Sequence, residues 1–160
     1  MIHHRRAGRV IFVAPDHSTL LVLGQDPQDL ARGSFYWTPG GGVDADETVS
    51  DAARREVREE LGYAVGELGP VVLEREAEFD FGGRRIRQVE SFYLVGVPDR
   101  FTPEPDALTE LEADAILGFD WMTPDRMRNS QLSVYPVCLP DLVEFWAADG
   151  HPETAWREHQ

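Results

Sequence analysis

The β-branched run RVIFVA, Arg9 to Ala14, predicts a first strand, and TLLVLG, Thr19 to Gly24, predicts a second after the turn residues PDHS. The polar stretch QDPQDLARGS reads as a loop, and Phe35 to Trp37 as a short strand ending before Pro39. A hairpin is expected around Gly82 and Gly83 in EFDFGGRRIRQVESFYLVGV, and a further strand in ILGFDWM. Helical periodicity appears twice. One instance precedes Gly62; the other is PDLVEFWAAD, with Pro140 at its start and Leu142, Phe145 and Trp146 on one face. Several strands with only two helices predict an α/β chain with a mixed sheet and helices packed on it, not a doubly wound parallel sheet. No internal repeat is present, and residues 1–160 read as a single domain with loose ends, about 1–7 and 151–160.

The first helix carries the chemistry. Thr48 is its expected N-cap, with Asp51 three residues on, and Gly62 its terminating glycine, so the helix spans Val49 to Leu61. With about 100° per residue and Val49 at zero, Ala52, Ala53, Val57 and Leu61 fall between about −60° and +120°. Asp51, Arg54, Arg55 and Arg58 fall at roughly 140° to 240°, the solvent side. Glu56 and Glu60 lie near −20° and +20°, inside the apolar stripe, and Glu59 near −80°, at its border. Two carboxylates ~5 Å apart repel by about 3 kcal/mol at an effective dielectric of ~20, before any cost of burial. Arg55 can pair with Glu59 four residues on, but the wheel points it away from Glu56 and Glu60. Hard oxygen ligands left without a cation suit Mg²⁺ or Mn²⁺. Ahead of the helix, Gly40 to Gly42 suit an ordinary turn or a close approach of backbone to another group.

Charge strengthens that reading. Against 29 Asp and Glu the chain has 15 basic residues, all arginine, for a net charge of −14. Binding a nucleic-acid polymer draws on basic residues that displace counterions, so that partner is not expected. An anionic substrate would need a divalent cation between it and this protein. No apolar run is long enough to span a bilayer, MIHHRRAGRV lacks the apolar stretch of a signal peptide, and lone Cys138 has no disulfide partner. A cytoplasmic protein with no membrane association is expected. The five histidines show no metal-ligand spacing.

The stretch GGVDADETVSDAARREVREELGY, Gly41 to Tyr63, resembles the box of the Nudix hydrolases, G-x5-E-x7-R-E-U-x-E-E-x-G-U with U a bulky aliphatic residue. Every fixed position matches; Tyr63 in the last bulky slot is the one departure. The resemblance implies an α/β/α sandwich with a mixed β-sheet, the box forming a loop–helix–loop. It implies that Glu56, Glu59 and Glu60 hold divalent metal with the Gly41 carbonyl, that Arg55 orients them, and that Glu47 supports the arrangement. It implies attack of water on phosphorus in a small nucleotide, a nucleoside diphosphate linked to another moiety, by a monomer or homodimer. Glu56 is the first choice of general base; Glu110 or Glu112, beyond the box, is the alternative. Tyr36 and Trp37, beside Phe35, are candidates to stack a base, and Arg84, Arg85 and Arg87 to steady a phosphate. Two rival functions share the fold: a non-catalytic nucleotide-sensing module, and an isoprenoid-diphosphate isomerase, which needs a catalytic cysteine.

Overall fold

The computed structural model describes residues 1–150 and 154–160. Among these, eight strands form one mixed sheet. Strand β1 (Ile2–Val13) turns into β2 (Thr19–Gln25), which pairs antiparallel with β3 (Ser34–Trp37) and β7 (Ile116–Met122). Strand β4 (Gly40–Gly42) runs antiparallel to β1, Gly41 opposite Gly8. Strands β5 (Val71–Phe81) and β6 (Arg84–Gly96) form the expected hairpin. Its turn needs positive φ at both central residues, which Gly82 (60°) and Gly83 (74°) adopt without steric cost. β6 lies parallel to β1, and β8 (Trp156–His159) parallel to β5.

Helix α1 (Val49–Leu61) covers one face and α4 (Leu139–Asp149) the other, giving the α/β/α sandwich. Side chains alternate across a strand, so β1 serves both layers. Val10 and Phe12 meet Val57 and Leu61 of α1; Ile11 and Val13 meet the layer of Leu139, Leu142 and Val143. Helices α2 (Glu110–Ala115) and α3 (Pro124–Arg128) are too short to register as periodicity, and each starts at a threonine cap, Thr109 and Thr123. No helix among the described residues is long and apolar enough to cross a membrane.

Three local expectations need correction. The first residues are not loose: from Ile2 onward each pairs with β6. Their strand signal is missing because the inward positions Arg5 and Arg9 line a cavity, where an apolar core would require hydrophobic residues. The other end is tied down too, by β8 and by Glu158, which accepts from Arg75 Nε at 2.9 Å and from the Cys138 N–H at 2.8 Å. Residues 151–153, part of that expected loose end, lie outside the described residues. Finally, Gly40–Gly42 is a strand laid along β1, not a free turn.

Candidate active site

Helix α1 begins and ends at its expected caps. Thr48 Oγ1 accepts from the Asp51 N–H at 3.0 Å, and Gly62, at φ 65°, donates its N–H to the Arg58 carbonyl at 2.9 Å. Its apolar stripe seats closely on β1 because Gly8 has no side chain; a Cβ there would strike the Val49 carbonyl. Seating the stripe also buries the glutamates it contains. Glu60 is only 2% exposed and Glu56 is half-buried, while Glu112 reaches the same place from α2. One oxygen from each of Glu56, Glu60 and Glu112 lies within 4.8 Å of the others.

Arg55 does not point into solvent as the helical wheel suggested. Its Nε and Nη2 clasp the Glu47 carboxylate at 2.7 and 2.9 Å, Nη1 donates to Glu56 at 3.0 Å and Glu59 at 3.3 Å, and Nη2 also reaches the Gly42 carbonyl at 3.0 Å. A wheel gives the Cα–Cβ direction; the long arginine stem then turns back along the helix. Glu47 foremost holds this guanidinium in its charged form, its pKa raised above the ordinary value. Glu59 therefore stands beside Arg55, outside the three-carboxylate cluster. Glu112 joins the cluster; Glu110 is exposed and does not.

The electrostatics are those of a site built for a cation. Burial raises the Glu60 carboxyl well above the ordinary range; Arg9 opposes this, and Glu56 and Glu112 add to it. Burial also raises Glu56, with Arg55 pulling it back and Glu112 and Glu59 pushing it further. Glu60 Oε1 is buried and has no hydrogen-bond partner, an unmet acceptor that ordinarily costs about 1–3 kcal/mol. A divalent cation fits these residues: it meets the orphaned oxygen, offsets the mutual repulsion and prefers oxygen donors of this kind.

A cavity of 640 Å³, within the usual range for small-molecule sites, opens from the cluster. It is lined by Gly40 to Val43, by Arg5, Arg9, Arg75 and Glu90 from the sheet, and by Phe35, Trp37, Phe81 and Tyr135. Phe35 and Trp37 face it with ring centroids 5.2 Å apart, whereas Tyr36 points to the opposite layer and packs on the core beside α4. Arg84 lines the cavity. Arg85 and Arg87 do not: Arg85 pairs with Glu78 at 2.9 Å, and Arg87 pairs with Glu76. Sequence reasoning missed Arg5, Arg9, Arg75, Glu90 and Tyr135. A signal was available in β6, where Gln88 and Glu90 fall in alternation with inward Ile86, Phe92 and Leu94, polar residues at core-facing positions.

Gly41 has a specific task against Glu56. A Cβ at residue 41 would sit 2.5 Å from the Glu56 carboxylate carbon. Gly41→Ala should therefore push that carboxylate aside while leaving the fold intact, because the obstructed atom is the end of a flexible side chain. Mn²⁺ affinity measured by calorimetry should fall at least ~5-fold, about 1 kcal/mol, with the metal-free melting temperature within ~2 °C of wild type. Unchanged affinity would remove Glu56 from the metal site.

The fold is shared with known structures. A Nudix hydrolase from Clostridium perfringens superposes with TM-score 0.62 at 15% identity, over 88% of this chain and 97% of that one. A MutT Nudix hydrolase from Burkholderia pseudomallei gives 0.58 at 24% identity, over 89% and 97%. An ADP-ribose pyrophosphatase from Streptococcus suis gives 0.52 at 16% identity, over 98% of each. No curated protein matches the chain. The NUDIX domain family model matches residues 3–138, which include the box and strands β2 to β7, and the chain belongs to the Nudix family.

Proposed function

We propose that this Nudix pyrophosphohydrolase cleaves a diphosphate linkage in small soluble nucleotides, using Mg²⁺ or Mn²⁺ held by Glu56, Glu60 and Glu112. The observation that carries the reading is the orphaned Glu60 oxygen inside a cluster of three carboxylates at the end of a nucleotide-sized cavity. Divalent metals are general in this family; when bound here, the ion would neutralise phosphate charge and make an attacking water more acidic. The chain's own residues do the rest. Arg55 fixes the Glu56 and Glu59 carboxylates and ties them to Glu47 and to the Gly42 carbonyl. Glu56, raised by burial yet held by Arg55, is placed to take a proton from water. Glu112 competes for that role, since α2 brings its carboxylate into the same cluster while one of its oxygens accepts from the Thr109 N–H. The aromatic wall of Phe35, Trp37 and Tyr135 suits the flat face of a base. The Streptococcus suis neighbour, an ADP-ribose pyrophosphatase, makes ADP-ribose one compound to include among test substrates.

The isomerase reading loses support at Cys138. That thiol packs beside α4 and is not part of the cavity lining, and burial with Glu158 nearby pushes its pKa up to about 12.

The test is a substrate panel of nucleoside triphosphates, nucleotide sugars, ADP-ribose, dinucleoside polyphosphates and capped RNA, run with Mg²⁺ and with Mn²⁺. Metal-dependent release of a monophosphate product from a small nucleotide is expected. Capped RNA cleaved far faster than every small nucleotide would overturn the substrate class. Within the same assay Glu112→Gln should lower kcat at least ~10-fold, about 1.4 kcal/mol of barrier. Glu110→Gln should behave as wild type. The reverse pattern would take Glu112 out of the site.

A further inference from the structure

The cavity has two poles of opposite charge. At one end stand the three carboxylates; on the sheet floor stand Arg5, Arg9 and Arg75. Two of these arginines are occupied. Arg9 donates to Glu90 at 2.7 Å and to the Thr38 and Gly40 carbonyls at 3.0 and 3.2 Å. Arg75 donates to Glu90 at 2.6 Å and to Glu158 at 2.9 Å. Arg5 is different. Its Nε donates to the Gln88 side-chain oxygen, and among the described residues its two terminal nitrogens have no hydrogen-bond partner.

The two carboxylates whose charge acts on Arg5, Glu90 and Glu56, are both engaged by other arginines. Glu90 gives one oxygen to Arg9 and Gln88 and the other to Arg75, and Glu56 is held by Arg55. Gln88, fully buried, accepts from Arg5 and donates to Glu90, which fixes the direction of the Arg5 stem. Arg5 is half-buried, and burial, with Arg9 beside it, lowers its pKa. An oriented, partly desolvated guanidinium with its fork free is suited to a two-oxygen anion. The Arg5 fork lies beside Gly42 and the Glu56 carboxylate beside Gly41. Successive strand residues face opposite ways, so the two groups flank the glycine ribbon of β4 and meet in one cavity.

We propose that Arg5 is an anion-binding residue of this cavity, gripping a second phosphate of the substrate while the first lies at the glutamates. The proposal rests on the hydrolase reading of the same cavity and narrows its substrates to nucleotides whose phosphate groups span both poles. Arg85 and Arg87, already paired with carboxylates on the outer face of the hairpin, do not serve this purpose.

Pyrophosphate is the probe, titrated calorimetrically into the whole protein with EDTA present and ionic strength matched by KCl. Wild type should bind it, and Arg5→Gln should bind it at least ~10-fold more weakly, the usual consequence of losing a charged hydrogen bond. Arg87→Gln should bind as wild type does. Arg5→Lys, which keeps the charge and stem but not the fork, guards against misfolding and should fall between the two. Mn²⁺ affinity should stay within ~2-fold of wild type in Arg5→Gln. No binding by wild type, equal binding by Arg5→Gln or Arg5→Lys, or a parallel loss in Arg87→Gln would overturn the proposal. Loss of Mn²⁺ affinity in Arg5→Gln would also overturn it, by marking collapse of the cavity. The hydrolase reading fails differently, by absent Mn²⁺ binding and absent turnover with metal-free pyrophosphate binding intact.

Discussion

Replacing Glu60 with glutamine should lower kcat at least ~10²-fold, about 2.7 kcal/mol of barrier, while the metal-free melting temperature holds or rises. The two halves of this result have one cause. The carboxyl is 2% exposed, one of its oxygens has no partner, and two further carboxylates lie against it. Such a group is unfavourable to the fold when ionised, and its value comes only with a bound cation. The sign follows from its pKa, which burial raises above the unfolded value. The folded state then holds the proton more tightly than the unfolded state, and this group's contribution to stability is full in acid. That contribution is lost as pH rises through the raised folded value. Glutamine does not titrate, so its melting temperature should equal or exceed wild type near pH 7 to 8 and lose that advantage toward about pH 4. Melting curves in EDTA across that range, with Mn²⁺ calorimetry and turnover on the same samples, check all three parts. Wild-type kcat, or a melting temperature several degrees lower at neutral pH, would sink the assignment of Glu60 to metal.

How much of this was legible in the sequence depended on the length of each element. Helix α1, with thirteen residues, caps at both ends and a clear stripe, was readable to its boundaries, and so was the placement of Glu56 and Glu60 within the stripe. The positions of Arg55 and Glu59 were not, because a wheel fixes where a side chain leaves the helix and not where a long stem ends. Glu112 entered only as one of two possible bases, since a six-residue helix has no period to read and the chain's return to the cavity is a tertiary fact. The hairpin shows the opposite case, a signal present but unused. Strand alternation places Arg84 inward with Ile86 and Gln88, and Arg85 and Arg87 outward with Val89; the same rule separates Phe35 and Trp37 from Tyr36. The start of β1 was hidden for a chemical reason: a strand whose inward residues face a polar cavity lacks the apolar alternation by which strands are found.

Glu90 is the counterpart of Glu60, equally buried and predicted to respond in the opposite way. Glu90→Ala should destabilise the protein by about 3–5 kcal/mol, which for a chain of this size lowers the melting temperature by on the order of 10 °C. Burial alone would raise this carboxyl, but Arg9 and Arg75 hold it below the ordinary value, so it remains ionised. Its contribution to stability is present above the ordinary carboxylate pKa and is lost as pH falls through the depressed folded value. Removing it leaves Arg9 with only the Thr38 and Gly40 carbonyls, and leaves Arg75, 7% exposed, with Glu158 as its one remaining carboxylate among the described residues. The damage should spread to the site. Arg9 carries the Thr38 and Gly40 carbonyls, and once released from Glu90 it no longer fixes β4 against α1, where Gly41 faces Glu56. Glu90→Ala should therefore lose stability and Mn²⁺ affinity together, whereas Glu60→Gln loses affinity alone. Thermal melting and calorimetry on both variants read the contrast directly. A Glu90→Ala protein melting within ~2 °C of wild type would show that Arg9 and Arg75 are satisfied without it, and the ionic floor of the cavity would have to be redrawn.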